Sequence, residues 1–344
     1  MGSVKDLEIL RKAENNSEGE GRFIFSDRYS VFDWGEMPDH IENKGAALCI
    51  LSAYFFNLLE KNNIKTHFVG LLENEKIKKY EEISGPTNIM QVKMVRVIKP
   101  VYNKEKNTYD YSAYKNETKN YLIPLEVIYR NKLTDGSSVF KRLKSGSITY
   151  KDLGLDHEPQ IGEVLNQPIV DVSTKLEHFD RYLPWEEAKQ ISNLTDEKLN
   201  QLKSIILNIN KIITDECKKA NIENVDGKFE FAFDKNGEFM VVDVLGTPDE
   251  CRFLYEDFHI SKEFARRWYR KEKWYEEVEK AKKEFGDDWK KMVKIQPDKL
   301  PEKIKNLISQ MYMAVTNAIT GKKFFNVPEI KVIILFIFRI MLFS

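Results

Sequence analysis

The sequence has few of the residues that build zinc sites and disulfide frameworks. Its three cysteines, Cys49, Cys217 and Cys251, lie far apart and fit no metal-binding spacing. The five histidines include no pair with the H-x-x-x-H spacing, which argues against a zinc site. An odd number of scattered cysteines is typical of a protein with reduced thiols, so we expect a cytoplasmic location.

Net charge and an apolar signal core are also lacking. The 344 residues include 54 Lys+Arg and 54 Asp+Glu, so no overall basic field favours nucleic acid as a partner. The first residues, MGSVKDLEILRK, contain no apolar signal core.

The end of the chain is apolar. Residues 332–343, VIILFIFRIMLF, are fewer than the roughly 20 that span a bilayer, and Arg339 interrupts them. We expect a buried or interface element, or a tail of non-native origin, and no membrane anchor. An interface element would make a homo-oligomer possible.

The most informative pattern is a predicted hairpin within residues 226–252. Phenylalanine alternates with polar or small residues over positions 229–233, which is typical of a half-buried strand. Asn236-Gly237 is a strong signal for a two-residue turn because both residues tolerate positive φ. With these two residues in the loop, Glu230 lies opposite Asp243.

Two opposed carboxylates favour a bridging cation. Like charges directly opposite each other destabilise a sheet, and Mg²⁺ typically binds one or two carboxylates together with phosphate oxygens. Lys228 points from the same strand face as Glu230, so the pattern predicts a metal-phosphate site. Two alternatives remain open: a solvated charged face on an edge hairpin, and a three-residue loop with a bulge, which would turn Asp243 away.

The same stretch resembles the signature of the SAICAR synthetase family, the phosphoribosylaminoimidazole-succinocarboxamide synthases of the purine pathway. Family members typically show Asp-x-Lys-x-Glu-Phe and then Asp-Glu-x-x-Thr-Pro-Asp-Ser-x-Arg. The matching positions are Lys228, Glu230, Asp243, Thr247, Pro248, Asp249 and Arg252. Val244 replaces the usual second acid, and Glu250 and Cys251 replace small polar residues.

A second block, residues 26–45, resembles the family run Thr/Ser-Asp-Arg-x-Ser-Ala-Phe-Asp followed by Ile-Pro-x-Lys-Gly. The resemblance implies that Ser30, Asp33 and Lys44 bind substrate. From the residues alone, Asp33 is equally a turn or cap acid and Lys44 a surface charge.

A third block, residues 121–142, resembles the family's Pro-x-Glu-x-x-x-Arg run and the Gly-Ser pair that follows it. The resemblance implies that Arg130 and Ser137 bind the imidazole nucleotide. An arginine fork suits phosphate or carboxylate, and a Gly-Ser turn offers N–H groups to an anion. A surface arginine and an ordinary turn are the alternative.

Two further blocks are implied to bind ATP phosphates. Residues 168–183 resemble the family's Ser-Thr-Lys-x-Glu block, which assigns Lys175 to the nucleotide and places Glu177 and Asp180 nearby. Residues 2–5 resemble its glycine-rich lid, with Lys5 at a basic position and Ser3 where a lysine is common. A flexible terminus is the alternative for the lid.

Hydrophobic periodicity predicts the main elements. Amphipathic helices are expected over residues 46–61 and 196–221, the second with Thr195 as its N-cap. Residues 261–285 are expected to form a salt-bridged surface helix. The Tyr-rich residues 101–119 read as an insertion or long hairpin without assigned chemistry.

The expected fold is α+β in two lobes. The resemblance implies a smaller N-terminal lobe with an antiparallel sheet, residues 1–125, and a larger C-terminal lobe, residues 126–325. The cleft between them would be similar to those of ATP-grasp proteins and kinases. Residues 326–344 form the apolar tail.

The function implied by the resemblance is an ATP-dependent ligase. It would join L-aspartate to carboxyaminoimidazole ribonucleotide (CAIR), giving SAICAR, ADP and phosphate through an acyl phosphate. The implied roles are Mg²⁺ binding by Glu230 and Asp243, ATP binding by these two residues with Lys5 and Lys175, and catalysis by Lys228, Asp249 and Arg252. A kinase-like phosphotransferase and a nucleotide-binding protein without turnover are the alternatives.

Overall fold

The computed structural model describes residues 4–343, apart from the side chains of residues 287 and 339–343. The first lobe holds a five-stranded antiparallel sheet of order β1-β2-β5-β3-β4. Its strands are β1 (Lys5–Arg11), β2 (Gly19–Phe25), β3 (Phe68–Glu73), β4 (Lys76–Lys78) and β5 (Ile89–Met94). A separate two-stranded hairpin follows, made of β6 (Val101–Asn103) and β7 (Thr108–Asp110).

The helix predicted over residues 46–61 is α1 (Lys44–Lys61), which packs against this first sheet. Leu48, Leu51 and Phe55 from its apolar stripe are almost completely buried. Its other side contacts a late helix, α8 (Glu302–Thr320), so α1 is buried on most of its surface. For this reason even Lys44, in its first turn, is removed from solvent.

The larger sheet supports the cleft. Its order is β13-β12-β10-β8-β9, with β11 paired to β10. The strands are β8 (Tyr121–Leu133), β9 (Glu163–Thr174), β10 (Glu223–Phe233), β11 (Phe239–Val242), β12 (Cys251–Tyr255) and β13 (Phe258–His259). The domain limits remain a prediction; β8 runs through the 125/126 boundary as one strand.

The two faces of the larger sheet differ in polarity. Phe229, Phe231 and Phe233 of β10 lie in the main hydrophobic core, on the side covered by helix α4 (Asp196–Lys219). The intervening residues project from the other face, since successive strand side chains alternate. Helix α4 begins as predicted, because the Thr195 hydroxyl accepts a hydrogen bond from the Lys198 N–H.

The hairpin register differs from the predicted one by a residue. Strands β10 and β11 pair Glu230 with Val242, not with Asp243. The loop holds three residues, 235–237, because the Asp234 carboxylate accepts hydrogen bonds from the N–H groups of Asn236 and Glu238. The prediction of a two-residue loop was therefore wrong, and Asp243 falls just beyond the end of β11.

Asp243 has a left-handed backbone, with φ 68°. This conformation breaks the alternation of the strand, so the position of the Asp243 side chain is not the one that the hairpin register alone would give. The bulged-loop alternative predicted that Asp243 would turn away from Glu230. Instead, the Lys175 ammonium group pairs with Glu230 and also lowers the pKa of Asp243, so both carboxylates lie within reach of the same charge.

The remaining helices complete the second lobe. They are α2 (Ser138–Lys144), α3 (Trp185–Ser192), α5 (Glu263–Tyr269), α6 (Lys273–Phe285), α7 (Trp289–Met292) and α9 (Ile330–Phe343). The prediction of one surface helix over residues 261–285 was wrong, because the chain forms two helices there. The buried side chain of Glu263 shows that α5 is no simple surface element.

The apolar tail forms α9, which packs on α8. Ile333, Ile334 and Ile337 are buried, as expected for a buried element, whereas Leu335 and Phe336 are about half exposed. In the part of the chain that the structure describes, no helix is long and apolar enough to cross a membrane.

Candidate active site

One face of the larger sheet carries three zones in sequence along its strands. Leu122, Ala232, Met240 and Val242 form an apolar cluster apart from the main core. Glu126, Lys228 and Glu230 form a charged middle zone, in which Glu230 pairs with Glu126 across the strands. Arg130 and Asp226 form the third zone and are also paired. From Ala232 to Asp226 the strand spans about 20 Å.

The middle zone alternates carboxylates and lysines. Lys175 Nζ lies 2.6 Å from Glu230 and 3.0 Å from Glu126. Lys228 Nζ lies 3.0 Å from the same Glu126 oxygen. Lys5, from the first lobe, lies 2.5 Å from Asp243 and so bridges the cleft. The charge of Lys175 also acts on Asp243, so the four predicted ATP-binding residues influence one another electrostatically.

The two predicted metal ligands have opposite pKa shifts. Burial and the charge of Asp243 raise the pKa of Glu230 to about 8. Burial acts in the same direction on Asp243, but the Lys5 and Lys175 ammonium groups outweigh it and hold its pKa well below the ordinary value. Two carboxylates close enough to influence each other tend to share one proton unless a cation separates them.

The donor set suits a magnesium ion accompanied by phosphate. Among the described residues, no group of three or more His, Cys, Asp or Glu side chains is arranged to hold a metal ion. Mg²⁺ needs only one or two protein carboxylates when phosphate oxygens and water complete its shell. Glu230 and Asp243 fit that requirement. The ammonium groups of their partners, Lys175 and Lys5, could pair with phosphate oxygens in place of the carboxylates.

A polar cavity of about 350 Å³ lies at the third zone. Five predicted site residues line it: Asp33, Arg130, Lys228, Asp249 and Arg252. Arg252 pairs with Asp226 at 2.5 Å, and Arg130 lies 3.4 Å from Asp171. The Nε groups of both arginines are buried without a hydrogen-bond partner within the described part of the chain. Unsatisfied buried donors are rare, and an anionic ligand would supply acceptors.

Comparison with known proteins identifies the family to which the chain belongs. The sequence model described as SAICAR synthetase matches residues 12–282. A putative phosphoribosylaminoimidazole-succinocarboxamide synthase from Archaeoglobus fulgidus is 48% identical over 334 residues, which cover 97% of this chain and 98% of that protein. The chain belongs to the SAICAR synthetase family. The resemblance seen in the sequence is thereby confirmed.

Solved SAICAR synthetase structures share the fold. The SAICAR synthase from Saccharomyces cerevisiae complexed with SAICAR has a TM-score of 0.63 and 23% identity and covers 94% of each chain. A type-2 SAICAR synthetase in complex with ADP has a TM-score of 0.60 and 22% identity, covering 96% of this chain and 98% of that one. The α+β fold with two lobes is confirmed. The kinase-like alternative gains no support from these relatives.

Lys44, another predicted site residue of this SAICAR synthetase family member, lies behind the cavity. Lys44 is fully buried and pairs with Asp249 at 2.7 Å, so it is not the surface charge considered as an alternative. The Tyr312 hydroxyl donates to the other Asp249 oxygen at 2.6 Å. Burial opposes ionisation of Asp249, but Lys44 and Lys262 lower its pKa to about 2. Lys44 therefore acts on Asp249 rather than from the cavity wall.

The last predicted residues have mixed positions. Asp33 lines the cavity from a turn with φ 60°, so it is both a turn acid and a cavity residue. Ser137 is buried and caps α2 by accepting a hydrogen bond from the Val139 N–H. Ser30, which belongs to the same sequence block as Asp33, is also buried. The predicted glycine-rich lid falls partly on Gly2 and Ser3, which lie outside the described residues.

Several charged residues of the site were not among the predicted site residues, although Asp226 and Glu126 occupy acidic positions of the family runs. Asp226 precedes Lys228 and Glu230 at two-residue spacing, a signal that all three share one strand face. Glu126 is a lone carboxylate in an apolar strand, which marks a buried charge with a partner. Lys262 and Arg266 also line the cavity, although the alternation of charges suggested a solvated helix.

Proposed function

We propose that the chain catalyses the ATP-dependent joining of L-aspartate to CAIR, giving SAICAR, ADP and phosphate. The observation that carries the proposal is the order of zones on one sheet face: apolar, then carboxylate-lysine, then arginine. An extended ATP needs a surface for its base, then cations for its phosphates, over about the 20 Å available. An arginine cavity at the phosphate end then suits an anionic acceptor.

The nucleotide is assigned to the first two zones. The purine base would lie at the apolar cluster, and Lys5 and Lys175 would exchange their carboxylate partners for phosphate oxygens. Glu230 and Asp243 would then be the residues that hold Mg²⁺, which would supply positive charge against the phosphates. The paired lysines keep these carboxylates in place, which lowers the reorganisation needed when ATP binds.

The acceptor is assigned to the arginine cavity. Arg130 and Arg252 would bind anionic groups of CAIR, while Lys228, beside Glu126 and the cavity, orients the carboxylate that attacks the γ-phosphate. Asp249, held by Lys44, accepts a hydrogen bond from the incoming amine of L-aspartate. This amine displaces phosphate from the acyl phosphate. We assign the reaction to the cytoplasm.

The reaction is tested by ADP release with purified protein, Mg²⁺ and ATP. We expect rapid ADP release only when CAIR and L-aspartate are both present, because the acyl phosphate turns over when an amine displaces it. Omitting L-aspartate should reduce release to a single turnover or less. Sustained release without L-aspartate would identify a phosphotransferase, and ATP binding without any release would identify a non-catalytic protein.

Proton release on nucleotide binding tests the metal site. With its pKa near 8, Glu230 is largely protonated at pH 7, whereas a Mg²⁺ ligand must be ionised. Binding of Mg-ADP should therefore release up to about one proton at pH 7 and tighten as the pH rises through 8. Calorimetry in two buffers of different ionisation enthalpy measures this release.

Glu230→Gln provides the comparison, since it removes the titrating group and keeps the shape. When Mg-ADP binds at pH 7, the variant should release up to about one proton fewer than wild type. A raised carboxylate pKa stabilises the folded state below the unfolded pKa, and that stability is lost as the pH rises through 8. The free energy of unfolding of the free protein should thus fall toward pH 8 more steeply in wild type than in Glu230→Gln. Equal proton release in both proteins would contradict the assignment.

A further inference from the structure

The Tyr-rich insertion is anchored firmly at its base. Tyr114 is almost completely buried and packs against Tyr121 with ring centroids 5.8 Å apart. Arg96 forms an ion pair with Glu117 across the foot of the insertion. Asn120 N–H donates to the Asp234 carbonyl at 2.9 Å, which ties the insertion to the hairpin of β10 and β11. The insertion therefore has a fixed origin at the loop end of this hairpin, next to the apolar cluster.

The upper part of the insertion contacts the segment formed by residues 175–181. The Tyr111 hydroxyl donates to the Glu177 carboxylate at 2.9 Å. The Tyr109 hydroxyl accepts from the His178 backbone N–H at 2.9 Å and shares a hydrogen bond with His178 Nδ1 at 2.5 Å. Tyr102 adds an edge-to-face contact with the His178 ring at 5.2 Å. Two tyrosine hydroxyls thus hold two successive residues.

The same segment presents its other side to the active site. Lys175 lies against Glu230 and Glu126, and Asp180 lines the arginine cavity. Between the hairpin and the segment is a cavity of about 640 Å³. Hydrogen bonds from the tyrosines, rather than continuous packing, therefore set the distance between the two.

We propose that the β6-β7 hairpin is a clamp that positions Lys175 for ATP, with Tyr109 and Tyr111 as positioning residues. The inference rests on the proposed role of Lys175 toward nucleotide phosphates. By holding Glu177 and His178 from outside, the clamp restricts the backbone that carries Lys175. A lysine already ordered loses less entropy when it meets phosphate, so the clamp raises nucleotide affinity.

The test compares variants that remove single hydroxyl groups. Tyr109→Phe combined with Tyr111→Phe deletes both contacts to the segment and keeps the rings. Tyr102→Phe is the matched control, because its hydroxyl bonds only Asn107 within the hairpin in the described structure, at 2.7 Å. We expect Mg-ADP to bind about tenfold more weakly to the double variant, given the usual strength of such bonds. The control should bind like wild type.

Further measurements separate positioning from stability and from the function itself. The double variant should show a raised KM for ATP with kcat retained within about twofold at saturation, which a loss of folded protein would not produce. Lys175→Gln should weaken Mg-ADP binding strongly. If it does so while the double variant binds like wild type, the clamp is refuted and the proposed function is not. If Lys175→Gln binds normally, the phosphate role of Lys175 fails and the clamp fails with it.

Discussion

Replacement of Asp243 with asparagine is expected to lower turnover by about 100-fold or more with the fold intact. The substitution removes the charge of one proposed Mg²⁺ ligand and the partner of Lys5. Metal-assisted charge stabilisation amounts to several kcal/mol, and about 1.4 kcal/mol corresponds to a tenfold change in rate. Asparagine tolerates the left-handed conformation of this residue, at φ 68°, so the backbone should keep its course.

Asp257→Asn is the matched control for this experiment. Asp257 has nearly the same backbone conformation, at φ 61°, but its exposed side chain lies in the turn before β13. Steady-state kinetics with all three substrates should therefore match wild type for the control. Turnover of Asp243→Asn close to that of the control, at saturating Mg-ATP, would show that Asp243 is no metal ligand.

Lys44→Met is expected to lower the free energy of unfolding by about 3 kcal/mol. The side chain of Lys44 is fully buried, and that of Asp249 is 4% exposed. Removing one partner of a buried pair leaves an uncompensated charge, which typically lowers the free energy of unfolding by roughly 3–5 kcal/mol. Lys262 also acts on Asp249 electrostatically, so the lower end of that range applies. Urea denaturation, with the midpoint and slope fitted together, measures the change.

Lys61→Met tests whether this loss comes from burial rather than from the substitution. Lys61 lies at the other end of α1 and forms an ion pair with Glu81 that is largely solvated. Lysine and methionine have similar helix propensities, and exposed pairs contribute little. The control should change stability by less than about 1 kcal/mol. Equal stability of both variants would mean that the Lys44–Asp249 pair contributes nothing to the fold.

Much of the site followed from local patterns in the sequence. Alternating phenylalanines placed Lys228 and Glu230 on the face away from the core, and the Thr195 cap marked where α4 begins. Both depend on contacts within a few residues, so neighbouring side chains carry the information. The family motif added the residues that gather at the cavity, but it assigned no role to Asp226 and Glu126, which it contains, and it did not include Lys262.

The errors arose where distant contacts decide the structure. Asn236-Gly237 favours a two-residue turn, but the Asp234 carboxylate caps a longer loop and shifts the pairing by one residue. A one-residue shift moves every side chain to the opposite face, but the left-handed backbone of Asp243 departs from that alternation. The charged segment after Ser261 looked solvated because two of the charges that act on it, Asp249 on Lys262 and Arg252 on Glu263, belong to other elements.

The sequence by itself determined the family, the strand and helix periods and the residue types that the chemistry requires. Only the tertiary structure decided which charges meet: Lys5 with Asp243 across the lobes, Lys44 with Asp249 inside the core, and the tyrosines with Glu177 and His178. The reason is physical. Period and capping depend on a few neighbouring residues, whereas ion pairs between distant segments depend on the burial that the whole fold creates.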